Sequence, residues 1–119
     1  MNVLPSRQVL VFRQAVDMRK QYDGLWALAR DVLKCNVFDG SLFVFVGKDA
    51  KRLKVLYWDG TGVCLLCKRL DKGLFVRPWK LEGDGPLHIS QSELALMIEG
   101  CQEVGKRRLS PQHWTPHTV

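Results

Sequence analysis

Arg52-Leu53-Lys54-Val55-Leu56-Tyr57-Trp58-Asp59-Gly60-Thr61-Gly62-Val63-Cys64-Leu65-Leu66-Cys67-Lys68-Arg69-Leu70 is the stretch on which the fold turns. Leu53, Val55 and Tyr57 alternate with Arg52, Lys54 and Leu56, the period-two pattern of a strand whose side chains point to opposite faces. Asp59-Gly60-Thr61-Gly62 then breaks the run, because glycine accepts the positive φ that tight hairpins demand. Val63–Leu70 reads as the returning strand. This 52–58/63–70 hairpin is the centre from which the neighbouring segments are assigned.

Upstream, Ser41–Gly47 is a Leu/Phe/Val run bounded by Gly40 and Gly47, the mark of a buried strand. Downstream, Asp71-Lys72-Gly73 suits a short hairpin into a brief strand, Leu74–Arg77, which Pro78 ends. Gln8–Phe12 supplies a further strand. Tyr22, Leu25, Trp26, Ala29, Val32 and Leu33 recur with helical spacing, and Asp17 is a suitable N-cap for a helix over about 18–34. Ser90-Gln91-Ser92-Glu93 has capping-box form and opens a second helix over about 91–99, with Gly100 as its stop. The expected fold is α+β: an antiparallel β-meander of four to five strands (about 8–12, 41–47, 52–58, 63–70 and 74–77) packed with two helices. The expected organisation is one domain over 1–100. Residues 101–119, with Pro111, Pro116 and Lys106-Arg107-Arg108, read as a flexible basic tail.

The 119 residues suit one domain and are too few for the large catalytic scaffolds. No apolar run reaches 18 residues, and the first residues lack the order of a signal peptide, so a cytoplasmic domain is expected. The four cysteines then read as thiols. The net charge of +6 is concentrated in residues 41–80, which carry nine basic side chains against three acids. Such a balance favours an anionic partner, nucleic acid first.

Arg52, Lys54, Lys68 and Arg69 on the hairpin, with Lys48 and Lys51 in the preceding turn, form a basic ribbon that can track phosphates. Tyr57 and Trp58 could stack on bases. Arg19 and Lys20 fall in the predicted first turn of the first helix, where free amides attract phosphate. The residues alone leave other readings open. Lysines also guard strand edges, Tyr57 suits core packing, and Arg19 could pair with Asp23.

The chemistry-bearing patterns are weaker. Cys64-x-x-Cys67 has metal-ligand spacing, but on a strand an offset of three points the thiols to opposite faces. His113 and His117 lie far beyond Cys67 for a zinc finger, and His88 stands alone. The acids are scattered singly, and no phosphate loop or nucleophile elbow is present. No catalytic residue, metal or cofactor is predicted.

A set of ordered segments carries a resemblance. They are Asp17-Met18-Arg19-Lys20, Asp23-Gly24-Leu25, Phe38-x-Gly40-x-Leu42-Phe43-Val44-Phe45, Arg52 to Asp59, Gly62-x-Cys64-Leu65, Lys68-Arg69-Leu70-x-x-Gly73-x-Phe75, and a leucine-rich helix ending Glu99-Gly100. Together they resemble the small accessory protein of insertion-sequence-66-type transposons, called TnpB, which is unrelated to the RNA-guided nuclease of that name. Two places depart from the family pattern: Val46-Gly47-Lys48 is less basic than usual, and Trp79 follows Pro78 instead of preceding it.

The resemblance implies a role in DNA transposition beside a larger transposase, and it brings no catalytic residues with it. The expected function is a non-catalytic accessory protein that binds transposon-end DNA or the transposase–DNA complex. Arg19, Lys20, Lys51, Arg52, Lys54, Lys68 and Arg69 would take phosphates, with Tyr57 and Trp58 as stacking groups. The alternative is a protein–protein adaptor for the transposase, using Phe43, Phe45, Tyr57 and Trp58. A third reading has Asp17 or Asp59 hold Mg²⁺ for a nuclease. A homodimer through an edge strand, 74–77 or 8–12, is a further expectation.

Overall fold

In the computed structural model, residues 7–34 and 36–102 are described. Five strands form one mixed sheet, and two helices complete an α+β fold. In chain order the elements are β1 (Val9–Val11), α1 (Tyr22–Leu28), β2 (Leu42–Val46), β3 (Arg52–Trp58), β4 (Val63–Arg69), β5 (Leu87–Ile89) and α2 (Gln91–Ile98). A π-helical turn, Ala29–Leu33, extends α1, and a 3₁₀ turn spans Pro78–Lys80. The spatial order is β4-β3-β2-β1-β5.

The central hairpin forms as expected, and its register sets Arg52 opposite Arg69, Val55 opposite Leu66 and Trp58 opposite Val63. The sheet is mostly antiparallel, with one departure from a meander. β1 runs parallel to β2, Val9 opposite Leu42. The reason is the connection. Residues 12–41 hold α1, long enough to return the chain to the end of the sheet from which β1 began.

The expected strand at 74–77 does not form. The Phe75 amide donates to the Ala50 carbonyl at 2.7 Å, and Phe75 and Val76 are buried, so this segment crosses under the β2–β3 turn. The fifth strand is instead β5, which pairs antiparallel with β1. Its three residues are too short to show a period.

Alternation divides the core in two. Val9, Val11, Val44, Val46, Leu53 and Val55 face α2 and meet Phe75, Leu94 and Met97. Leu10, Phe43, Phe45 and Leu56 face α1 and meet Met18, Leu25, Ala29 and Leu33. The sheet is thus a middle layer, covered on both sides.

The second helix begins as its sequence demands. The Glu93 amide donates to Ser90 Oγ (3.0 Å) and the Ser90 amide to Glu93 Oε1 (2.8 Å). Gly100 follows with φ +98°, the left-handed stop.

The first helix starts later than predicted, at Tyr22 behind the cap position Gln21. Asp17 is not its cap. Its carboxylate receives the Arg19 amide (2.9 Å) and the Arg19 guanidinium, closing a turn before the helix. Val16 bridges to Gly47, and Met18 is buried, so 16–20 lies along the sheet.

Of the predicted tail, Cys101 and Gln102 are described. The Cys101 amide donates to the Leu96 carbonyl, and the Gln102 side chain donates to the Leu74 carbonyl. The rest of that prediction lies outside the described residues.

Candidate nucleic-acid interface

The end of the β3–β4 hairpin away from the Asp59 turn gathers cations. Arg52 and Arg69 stand directly opposite one another. Like charges in that position weaken a strand pair. Arg52 reaches Asp49 at 3.2 Å while half its side chain stays exposed. Arg69 is exposed and makes no ion pair among the described residues.

Three adjoining hollows surround this pair. One, about 180 Å³, is floored by Met18, Lys54 and Cys67 between the two arginines. A second, about 350 Å³, runs from Arg52 to Lys48 and Asp17. The third, about 320 Å³, lies between Arg69 and Lys51. Lys20 and Arg19 rise from the neighbouring turn, both exposed.

The turn that carries them is held from below. Lys54 is only 7% exposed, and its Nζ donates to the carbonyls of Met18 (2.9 Å) and Lys20 (2.8 Å). Asp17 is drawn well below the ordinary carboxylate range, first by the Arg19 side chain and then by the Arg19 amide. The bidentate contact with Asp17 keeps Arg19 oriented, although the pair is in open solvent and adds little stability. Asp49 is likewise lowered, chiefly by the Lys51 amide.

The predicted residues therefore part company. Arg52, Arg69, Lys51 and Lys48 line adjoining hollows at one end, and Arg19 and Lys20 are exposed on the turn that Lys54 holds. Lys54 shares their side of the sheet but is spent on backbone carbonyls. Lys68 points to the α2 side, where its Nζ donates to the Ile98 carbonyl at 2.8 Å and satisfies a helix end. Tyr57 packs on the α2 side beneath the Arg7 guanidinium, 5.3 Å from the ring centre. Burial raises its hydroxyl's pKa, aided by Cys64. Trp58 sits at the far end of β3, six positions from Arg52, or about 20 Å along a strand. The single basic ribbon with interleaved aromatics is replaced by a cationic end and a separate aromatic end.

At that aromatic end, Phe38 stands edge-on to Trp58 (5.2 Å) and to Trp26 (5.3 Å). Phe38 is 59% exposed, the most open of the large apolar side chains among the described residues. Phe38 and Trp26 are not among the site residues that the sequence predicts. The only signal was a phenylalanine beside the Asp39-Gly40 turn. Phe43 and Phe45, expected at an adaptor surface, are wholly buried.

The chemistry-bearing candidates have structural employment. Asp59 receives the Thr61 and Gly62 amides, Thr61 Oγ1 and Cys64 Sγ, which lowers its pKa to about 2. Cys64 faces Tyr57 and Cys67 faces Lys54, on opposite sides of β4. Among the described residues, no three His, Cys, Asp or Glu side chains gather where a metal could sit. No described helix is long and apolar enough to cross a membrane.

The family described as IS66 Orf2-like protein matches residues 7–108. The chain belongs to this family. Its relatives include two uncharacterized proteins of Sinorhizobium fredii (strain NBRC 101917 / NGR234). One, y4hO, is 41% identical over 120 aligned positions, covering 98% of this chain and 99% of the relative. The other, y4jC, is 40% identical over 98 positions, covering 81% and 82%. No solved structure matches. Family membership agrees with the resemblance and supports an accessory role in transposition of an IS66-type element.

Proposed function

We propose that this IS66 Orf2-like protein is a non-catalytic companion of the transposase that grips DNA phosphates with the cationic end of its β3–β4 hairpin. Arg52 opposite Arg69 carries the reading. Two arginines at directly opposed positions of the ladder carry a like-charge cost that Asp49 offsets on the Arg52 side, and a phosphate over Arg69 would relieve the rest. Arginine forks suit phosphate, and Lys51, Lys48, Lys20 and Arg19 extend the positive surface. Each phosphate neutralised releases counterions, so affinity must fall as salt rises. Fluorescence anisotropy of transposon-end duplexes, titrated from 50 to 300 mM salt, tests this. Binding that falls linearly on a log–log plot supports it. Absence of binding at low salt, or a flat response, removes it.

A second reading rests on the Trp26–Phe38–Trp58 group. An exposed aromatic of this kind suits an anchor on a protein partner, here the transposase. Co-purification of the two proteins after nuclease treatment, lost in Phe38→Ser, would support the adaptor role. Retention of the complex in that variant would remove the aromatic group from it.

A further inference from the structure

The sheet has two edges, and they are treated differently. β5 has three residues behind Pro86, a short edge of the kind that resists further pairing. β4 has seven residues with neither proline nor glycine. The Leu70 amide donates to the Lys51 carbonyl and the Asp59 amide to the Gly62 carbonyl. Counting inward from both ends, the hydrogen-bonded pairs are Leu53/Lys68, Val55/Leu66 and Tyr57/Cys64. The backbone groups of Val63, Leu65, Cys67 and Arg69 consequently point away from β3. No described strand meets them. Leu66 is 43% exposed beside this edge. Lys68, the residue type that commonly guards an edge, is turned onto the Ile98 carbonyl instead.

We propose that β4 pairs antiparallel with β4 of a second copy of this chain, about a twofold axis at Leu66, giving one ten-stranded sheet. The symmetry fits the strand. With the axis at Leu66, Val63 and Leu65 exchange hydrogen bonds with Arg69 and Cys67 of the second copy, and all seven residues are used. Leu66 meets its own counterpart in the close, non-hydrogen-bonded position and loses its exposure. Lys68 and Arg69 fall opposite Cys64 and Val63, so no like charges oppose one another across the new seam. Moving the axis toward Lys68 shortens the overlap and brings the cations together, which sets the register.

An axis perpendicular to the sheet keeps the α1 side of both copies on the same face. The two Arg52/Arg69 clusters then share one surface, with the Arg69 positions about 20 Å apart along the strands. The dimer does not depend on the DNA reading and can be tested without DNA.

Sedimentation velocity of the full chain in reducing buffer is the first measurement. A dimer at micromolar concentration is expected. Leu66→Lys, which places two ammonium groups at the axis, should raise the dissociation constant at least tenfold with an unchanged far-ultraviolet circular dichroism spectrum. The second measurement is crosslinking. Leu66→Cys in a chain whose own four cysteines are changed to serine should form a covalent dimer on mild oxidation, since the axis brings the two Cβ atoms within disulfide reach. Leu74→Cys, also exposed, serves as the control and should not crosslink. A monomeric wild-type chain overturns the proposal. So does a dimer indifferent to Leu66→Lys, or a Leu66→Cys chain that crosslinks no better than the control.

Discussion

Lys54 holds Lys20 by its backbone: the Lys54 ammonium donates to the Lys20 carbonyl at 2.8 Å, and to that of Met18 at 2.9 Å. One cation is thereby buried so that another is presented. The two carbonyls are committed to a side chain, and the helix begins only at Tyr22. Lys54→Met keeps the stem and removes the charge, leaving both carbonyls without this donor. A loss of about 2 kcal/mol is expected, within the 1–3 kcal/mol typical of orphaned buried polar groups. Chemical denaturation measures it. If Lys54 touches no phosphate, the salt slope of DNA binding in this variant should equal that of the wild type.

The opposite pattern is expected of Arg52→Gln and Arg69→Gln. Both side chains are exposed at the cationic end, so folding stability should change by less than about 0.5 kcal/mol, or rise slightly as the like-charge pair is relieved. Each should lower the log–log salt slope by about 0.9, the share of one phosphate contact. Salt titrations of each variant and of the double variant check this. An unchanged slope would take that arginine out of the interface.

Gly47 lies where the β2–β3 turn touches the turn before α1. A Cβ there would stand 2.5 Å from Met18 Cγ, inside contact distance. Gly47→Ala must push Met18 out of its buried seat or shift the Val16–Gly47 bridge. The expected cost is about 1–3 kcal/mol, the usual penalty for overpacking. Thermal melting should show it. A variant as stable as the wild type would mean that Met18 swings aside freely.

Asp59 makes the hairpin turn sensitive to acid. The Thr61 amide, then the Gly62 amide, lowers its pKa from 3.8 to about 2. The folded form therefore releases this proton more readily than the unfolded chain, so the carboxylate stabilises the fold above about pH 4. That contribution is lost as the pH falls through the interval from 3.8 toward 2. Asp59→Asn should melt below the wild type at pH 7, and the gap should narrow as the pH is lowered through that interval. A gap independent of pH would contradict the turn assignment.

Local patterns were legible where a few neighbouring residues suffice. The β3–β4 hairpin follows from alternation around Asp59-Gly60-Thr61-Gly62, and the α2 start from Ser90 and Glu93, whose reciprocal bonds span three positions. β5 was not legible, because Leu87-His88-Ile89 becomes a strand only when β1 offers it an edge. The stretch at 74–77 has strand composition, yet the Phe75 amide donates to the Ala50 carbonyl and the segment joins no ladder. In the site, Arg52 and Arg69 were legible as basic residues of the two hairpin strands, and the register then set them opposite one another. Phe38 was not, because its aromatic neighbours Trp26 and Trp58 come from distant parts of the chain.

The sequence by itself determined a small basic α+β chain with a charged central hairpin, since net charge, alternation and turn glycines are properties of adjacent residues. Only the tertiary structure decided what each charge is for. Lys54 and Lys68 occupy neighbouring strands of one hairpin. Yet Lys54, which is buried, reaches the turn before α1, and Lys68, which is half-buried, reaches the end of α2. A buried ammonium must find carbonyls, and which carbonyls lie within reach depends on the layers above and below the sheet. Arg52, Arg69, Lys51, Lys48, Lys20 and Arg19, by contrast, keep their side chains exposed.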